Sequence, residues 1–184
     1  MSTHYAPRTA LLVIDVQVGL IDGTHPAYHK GEVLANIQTL LQKARAAMTP
    51  VIYIQHAGDE GGPLAIHSAG WQIHPHIAPQ EGETVLSKRA SDSFYQTPLQ
   101  QELAARQVTH LVLTGCRTQY CIDTTCRCAT SLGYDVTLAS DAHTTIDSDT
   151  LTAAQIVAHH NETLDDFGND EHVVVVKPSS EIHF

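Results

Sequence analysis

The segment 111–132, LVLTGCRTQYCIDTTCRCATSL, joins an apolar run to a segment with helical spacing. Its initial LVL is a continuous apolar run, which is typical of a strand that is buried on both faces. The run ends at Gly115, a tight turn follows, and Cys121 opens the segment with helical spacing. This order of elements predicts one strand–turn–helix unit of an α/β domain.

Cys121 is the first residue of this segment with a candidate chemical role. A thiolate is the nucleophilic form of cysteine, and a helix N-terminus favours the anion through its unpaired N–H groups and its dipole. The same N–H groups can stabilise an oxyanion. The alternative is that Cys121 is a small buried hydrophobe, which is the common environment of a free cysteine. Its position alone leaves both interpretations open.

The rest of the chain repeats the alternation of strands and helices. Strands are predicted at 9–16, 51–55, 84–86, 110–114, 134–139 and 172–176, and a polar loop at 139–145. Helices are predicted at 31–48 and 98–105. A third predicted helix begins at residue 121. A fourth begins after a cap at Thr150 or Thr152 and ends at about residue 165. This alternation predicts an α/β fold: one domain over residues 1–184, with a doubly wound six-stranded parallel sheet in the common order 3-2-1-4-5-6 and helices on both faces.

Composition narrows the classes of partner. The formal net charge of −10, with no basic stretch to offset it, argues against nucleic acid or an anionic membrane surface. The N-terminal MSTHYAPRTA lacks the pattern of a signal peptide, and no apolar stretch reaches the ~18–20 residues that cross a bilayer. The cysteines at positions 116, 121, 126 and 128 are clustered, which argues against a disulfide framework. We therefore expect a cytoplasmic protein.

The histidines raise the question of a metal site. Thirteen of them are spread along the chain, without an HExxH motif or paired CxxC motifs. A long Gly-, Pro- and His-rich stretch over residues 56–82 holds the densest group, His56, His67, His74 and His76. Such a stretch is usually functional or disordered, and the single tryptophan, Trp71, favours order. We expect no metal ion and no cofactor.

Three polar residues follow the predicted strands at their carboxyl ends: Asp15, Lys88 and Cys121. Ligands of doubly wound sheets bind beyond these ends, where the strand order reverses. In the order 3-2-1-4-5-6, Asp15 and Cys121 face each other at this point, and Lys88 reaches in from strand three. Each has an alternative role, since Asp15 could cap a loop and Lys88 could be a solvated lysine.

The sequence resembles the cysteine hydrolases of the isochorismatase-like superfamily, which includes nicotinamidases, N-carbamoylsarcosine amidase and isochorismatases. The resemblance covers nearly the whole chain, through LLVIDVQ, VIYIQH, LSKRASDSFYQTPLQ, LVLTGCRTQYCIDTTCRCATSLGYDV, SDAHTT and AQIVAHHNETL. Its GxxTxxC block corresponds to Gly115, Thr118 and Cys121. The resemblance implies a catalytic triad of Asp15, Lys88 and Cys121, and substrates that are small and amide-like.

The resemblance also implies an oxyanion hole in the turn before the nucleophile. It places a non-proline cis peptide bond between Cys116 and Arg117, with N–H donors from Arg117 and Cys121. In the implied mechanism, Lys88 lowers the pKa of the thiol and Asp15 accepts its proton. The thiolate then attacks a carbonyl carbon and forms a thioester, which water hydrolyses. Superfamily members commonly form dimers or tetramers, so a homodimer or homotetramer is expected, with 181–184 and the long loop as interface elements.

The residues expected to shape the substrate pocket come from the loops around the triad. They are Gln17, Leu20, His56, Trp71, Phe94, Tyr95, Gln119 and Tyr120. Aromatic walls with few charges favour a small, planar or cyclic, mostly neutral substrate. The side chain of Arg117 could instead pair with a substrate carboxylate, or point away while its N–H faces inward. The sequence does not choose among amide, ureido and lactam bonds.

Other functions stay open on the sequence alone. Isochorismatases of the superfamily lack the cysteine that this chain has, which favours cleavage of a C–N bond over enol-ether chemistry. Nicotinamidases bind a metal through a DxH motif, whereas His56 here is preceded by Ile54 two residues earlier. A thiol redox or sensor protein would use Cys121 with Cys116 or Cys126. A catalytically idle assembly protein would not need both Asp15 and Lys88.

Overall fold

A six-stranded parallel sheet forms the centre of the structure, a computed structural model in which residues 8–184 are described. The strand order is β3-β2-β1-β4-β5-β6, which confirms the predicted topology. The strands are β1 Thr9–Ile14, β2 Val51–His56, β3 Thr84–Lys88, β4 His110–Cys116, β5 Asp135–Thr144 and β6 Val174–Lys177. The helices are α1 Val18–Ile21, α2 Lys30–Ala46, α3 Leu99–Ala105, α4 Asp123–Ser131 and α5 Ala153–Leu164.

Alternate residues of β1 divide the apolar core into two layers, one on each face of the sheet. Leu12 and Ile14 pack with residues of α3, α4 and α5. Leu11 and Val13 pack on the other face against the apolar stripe of α2. A central parallel strand must be covered on both faces, which is why β1 is a continuous apolar run.

The end of β5 differs from the prediction. Residues 140–144, expected in a polar loop, continue the strand. A register shift at the end of β4 lets this part of β5 pair beside it, with Gly115 opposite His143. Polar side chains are tolerated here because they have partners: Asp141, for example, accepts hydrogen bonds from the backbone N–H and the hydroxyl of Ser179. The polar pattern was therefore that of a hydrogen-bonded strand rather than of a loop.

Helix and strand ends differ from prediction by a few residues. Thr152 is the N-cap of α5, where it forms a capping box with Gln155, and the helix ends at Leu164, within one residue of the predicted end. Cys121 does not open an α-helix, since it lies in a π-helical turn, Thr118–Ile122, that precedes α4. On α4, Cys126 is buried in the core, whereas Cys128 is only half-buried.

The C-terminal residues pack on their own chain. Ile182 is buried in the layer that contains α2. The Lys43 ammonium of α2 donates to the carbonyls of Ser179, Ser180 and Ile182 at 2.8, 3.2 and 3.0 Å. In the part of the chain that the structure describes, no helix has the length and apolar character needed to cross a membrane.

Candidate active site

The ends of β1 and β3 bring an acid and an amine together. Asp15 follows β1 in the left-handed conformation, φ 53°, which aspartate tolerates better than most residues. Lys88 is the last residue of β3 and lies in register with His56 of β2. Lys88 Nζ is 2.7 Å from Asp15 Oδ2, and neither side chain has any exposed surface. The two residues form a buried ion pair at the predicted edge of the sheet.

The ammonium of Lys88 is held from two further directions. Nζ donates to the carbonyl of Ala90 at 2.9 Å and to that of Ser91 at 3.3 Å. An ammonium has three donors, so Asp15 and these two carbonyls can engage all of them. This arrangement fixes the positive charge in place.

Cys121 contacts both members of the ion pair. Its thiol is within hydrogen-bonding reach of the Asp15 carboxylate and of the Lys88 ammonium. Apart from the Lys88 ammonium and the Cys121 thiol, no donor among residues 8–184 contacts the carboxylate oxygens of Asp15. The carboxylate is therefore free to receive the thiol proton. The structure thus brings together the three residues that the sequence analysis selected.

Burial sets the proton affinities of this group. It raises the pKa of the Cys121 thiol to about 11, with a further increase from the Asp15 charge and an opposing effect of Lys88. Burial also raises the pKa of Asp15, against the effect of Lys88, which makes its carboxylate a better base. Burial alone would lower the pKa of Lys88, but the negative charges beside it raise it. Lys88 lowers the pKa of the thiol as expected, but burial and the Asp15 charge have the larger, opposite effect.

A close contact between β1 and β4 shapes the turn before Cys121. Gly115 has φ 127°, and a Cβ atom there would lie 2.0 Å from the carbonyl oxygen of Ile14. The next peptide bond, Cys116–Arg117, is cis. The buried Cys116 thiol donates to the carbonyl of Asp15 at 3.0 Å, so it joins the turn to the end of β1. This contact gives Cys116 a structural role in the turn.

A buried histidine supports the same turn, and the sequence analysis gave it no role. His143 Nδ1 lies 2.9 Å from Thr118 Oγ1, and its Nε2 lies 2.8 Å from Asn161 Oδ1. Asn161 Nδ2 in turn donates to the carbonyl of Ser140 at 3.1 Å. Burial lowers the pKa of His143 to about 4, so the ring is neutral at neutral pH. The motif SDAHTT contained this residue, but its partners are distant in sequence.

A pocket of about 210 Å³ opens onto the thiol. Six residues singled out in the sequence analysis line it: Asp15, Leu20, His56, Arg117, Tyr120 and Cys121. Leu64 of the long loop and Ser91, which follows β3, complete the lining and were not predicted. A larger cleft of about 680 Å³ lies elsewhere, beside the start of α5, and no thiol lines it. We therefore place the candidate site at the smaller pocket.

Two residues expected in the pocket anchor the long loop instead. Gln17 is fully buried, and its amide donates to the carbonyls of His56 and Trp71 at 3.0 and 2.8 Å. It also accepts a hydrogen bond from the His56 N–H at 2.9 Å. Gln55 donates to the same Trp71 carbonyl at 2.8 Å. Gln17 and Trp71 thus position the pocket wall rather than form its lining.

Three other residues expected in the pocket also lie outside its lining. Phe94 packs against the core and stacks on Tyr134, with ring centroids 5.8 Å apart. Tyr95 is exposed and lies beside the C-terminal end of β3. The side-chain carbonyl of Gln119 accepts from Thr145 at 2.6 Å. Within residues 8–184, no three histidine, cysteine or acidic side chains are arranged to hold a metal ion.

Comparisons with known proteins identify the family to which the chain belongs. The family model of the isochorismatase domain matches residues 9–164. A streptothricin hydrolase of Streptomyces noursei is 37% identical over 155 residues, 80% of this chain and 62% of that protein. The chain therefore spans less than two thirds of that relative. The secreted isochorismatase effector Isc1 of Verticillium dahliae is 32% identical over 157 residues, 85% of this chain and 83% of that protein.

Solved structures show the same fold. The crystal structure of a cysteine hydrolase from Pseudomonas syringae pv. phaseolicola has a TM-score of 0.85 and 27% sequence identity. The similarity covers 95% of this chain and 90% of that chain. The sequence match and the shared fold lead to one conclusion: the chain belongs to the isochorismatase-like hydrolase superfamily.

Proposed function

We propose that the protein is a cysteine hydrolase that cleaves a carbon–nitrogen bond of a small amide-like molecule through a thioester. The observation that carries this proposal is the contact of the Cys121 thiol with the buried Asp15–Lys88 pair at a small pocket. The streptothricin hydrolase and the cysteine hydrolase among its relatives support a hydrolytic reaction.

Acylation begins with transfer of the thiol proton from Cys121 to Asp15. The sulfur forms a bond to the substrate carbonyl carbon, and the carbonyl oxygen becomes an oxyanion. When the oxyanion collapses, the C–N bond breaks and the proton on Asp15 moves to the nitrogen, because an unprotonated amine departs poorly. Lys88 remains charged throughout and offsets the negative charge that moves between carboxylate and sulfur.

Deacylation returns the enzyme to its resting state. Asp15 removes a proton from water as the water oxygen attacks the thioester carbon. The C–S bond then breaks, and the sulfur recovers its proton from Asp15. One water is consumed, and the products are a carboxylic acid and an amine or ammonia; a ureido substrate would give a carbamic acid in place of the carboxylic acid. The backbone N–H groups of Arg117 and Cys121 are the proposed donors to the oxyanion in both halves.

Burial of the other cysteines disfavours a thiol redox function. Cys116 and Cys126 are fully buried, and burial raises the pKa of both thiols. Thiol exchange requires an accessible thiolate. Neither residue is therefore a suitable resolving partner for Cys121.

The test is a comparison of two cysteine variants on a panel of small amides, ureido compounds and lactams. We expect Cys121→Ala to abolish release of ammonia or amine. Cys128→Ala is the matched control, because Cys128 is a half-buried thiol on α4 whose pKa burial also raises to about 11. It should keep full activity. Intact-mass spectrometry should detect the acyl-enzyme on Cys121 of the unaltered protein. Turnover by Cys121→Ala at the unaltered rate would disprove the mechanism.

A further inference from the structure

The charged residues of the pocket lining, counted together with the buried Lys88, have one net positive charge. Asp15 and Arg117 are the charged residues of its lining. The charge of Asp15 is balanced by Lys88 at 2.7 Å. The ion pairs found among residues 8–184 do not include Arg117. The guanidinium therefore has no ion-pair partner among these residues, and Arg117 lines the same pocket as Cys121.

A buried donor of Arg117 has no acceptor. Its Nη1 is inaccessible to solvent and makes no hydrogen bond to another described residue. Leaving a charged buried donor unpaired is costly, so such groups in native proteins call for a partner. The planar guanidinium fork matches the two oxygens of a carboxylate.

His56 provides a second unpaired polar atom in the same pocket. Its Nδ1 is buried without a hydrogen-bond partner. Its backbone is fixed, because the Gln17 side chain binds both its N–H and its carbonyl. Arg117, which follows β4, and His56, at the end of β2, thus both line the pocket, and each has a buried polar atom without a partner.

We propose that Arg117 selects substrates that have a carboxylate close to the scissile bond. This inference rests on the proposed function and adds the class of substrate. Arg117 and Cys121 line the same pocket of about 210 Å³, so we expect the anion to lie a few bonds from the attacked carbon. Leu20, Leu64 and Tyr120 supply the remaining, mostly apolar walls. The expected substrate is then a short amide that keeps a free carboxylate, such as a half-amide of a dicarboxylic acid or an N-acyl amino acid, rather than a neutral amide.

Alkylation of Cys121 tests anion recognition without any turnover. Iodoacetate and iodoacetamide differ in one group, a carboxylate against an amide, and both alkylate a thiol. We expect the rate ratio of iodoacetate to iodoacetamide to exceed that of glutathione by about tenfold or more, the effect of one charge-assisted contact. Arg117→Gln should return the ratio to the glutathione value, and Arg117→Lys should retain part of the preference. Intact mass and peptide mapping measure both rates.

The matched control is Arg127→Gln. Arg127 is an arginine of α4 that is paired with Asp123 at 3.0 Å and packs over Phe167, outside the pocket. This variant should keep the iodoacetate preference. A protection assay needs no variant: succinate should shield Cys121 of the unaltered protein from iodoacetamide at concentrations at which succinamide does not. A ratio equal to that of glutathione, or equal protection by the two compounds, would overturn the inference.

A matched pair of substrates separates this inference from the proposed function. We expect succinamate to be hydrolysed with a higher kcat/KM than butyramide, and Arg117→Gln to remove the difference mainly through KM. Hydrolysis of both at equal kcat/KM would refute carboxylate selection while leaving the hydrolase proposal intact. If no amide is hydrolysed, the proposed function fails, and the alkylation ratio still decides whether Arg117 binds an anion.

Discussion

Replacement of the buried His143 tests how the turn before the nucleophile is held. His143 joins Thr118 to Asn161 as a neutral ring, and burial lowers its pKa from 6.5 to about 4. In the unfolded chain the ring takes up a proton as the pH falls below about 6.5. The folded protein resists this proton until about pH 4. The unfolded state therefore binds more protons between these values, and stability falls as the pH falls through this window.

The size of the effect follows from the difference between the two pKa values. A change from 6.5 to about 4 corresponds to a loss of on the order of 3 kcal/mol in the free energy of unfolding between pH 7 and pH 4. His143→Gln removes the titrating ring. The variant should be less stable than the unaltered protein at pH 7, because it loses the two ring contacts. The gap between the two proteins should shrink by about the same 3 kcal/mol on acidification.

Urea denaturation at several pH values between 4 and 7.5, followed by the fluorescence of Trp71, measures this gap directly. Carboxylates also contribute to acid destabilisation, but their contribution is common to both proteins and cancels in the difference. His25→Gln, which makes the same replacement at an exposed histidine, is the control. If His143→Gln retains the same dependence of stability on pH as the unaltered protein, the assignment of a neutral buried ring is refuted.

Three further substitutions test the frame of the site. Gly115→Ala should lower the free energy of unfolding by at least about 3 kcal/mol in thermal unfolding, because the added Cβ atom would clash with the carbonyl oxygen of Ile14 in β1. A much smaller loss would contradict this expectation. Lys88→Met should lower the free energy of unfolding, measured by urea denaturation, by about 3–5 kcal/mol because it leaves Asp15 unpaired, and adding Asp15→Asn should recover part of this loss. If the losses of the two single variants simply add in the double variant, the two residues are not a coupled pair. Gln17→Leu should lower the free energy of unfolding by about 1–3 kcal/mol and speed amide hydrogen exchange around Trp71, because it removes the hydrogen bonds to the carbonyls of His56 and Trp71. Unchanged exchange would show that other contacts hold the loop.

The sheet and the three residues at its edge were predictable because their signals are local. An apolar run that ends at a polar residue identifies a buried parallel strand and its carboxyl end at once. Asp15 lies at the end of such a run, Lys88 ends a short strand, and Cys121 follows the strand at 110–114 after a tight turn. The strand order then placed them at the same edge, as the ion pair between Asp15 and Lys88 illustrates.

The pocket lining was less predictable because it depends on side-chain direction in irregular segments. Gln17 and Phe94 were expected to meet substrate, but one binds the backbone of a distant loop and the other packs on Tyr134. Leu64, in a stretch without periodicity, lines the pocket without a sequence signal. The role of His143 was equally hidden, since Thr118 and Asn161 lie 25 and 18 residues away.

The attachment of Lys88 to two backbone carbonyls has a consequence for how the site can be altered. Its ammonium donates hydrogen bonds to the carbonyls of Ala90 and Ser91, so the main-chain conformation after β3 determines the position of the charge. A change of loop geometry at 90–91, such as an inserted residue, would shift the Lys88 ammonium and so change the electrostatic potential at the Cys121 sulfur without replacing any reactive group. Tuning of reactivity in this protein can therefore come from loop length rather than from side-chain identity.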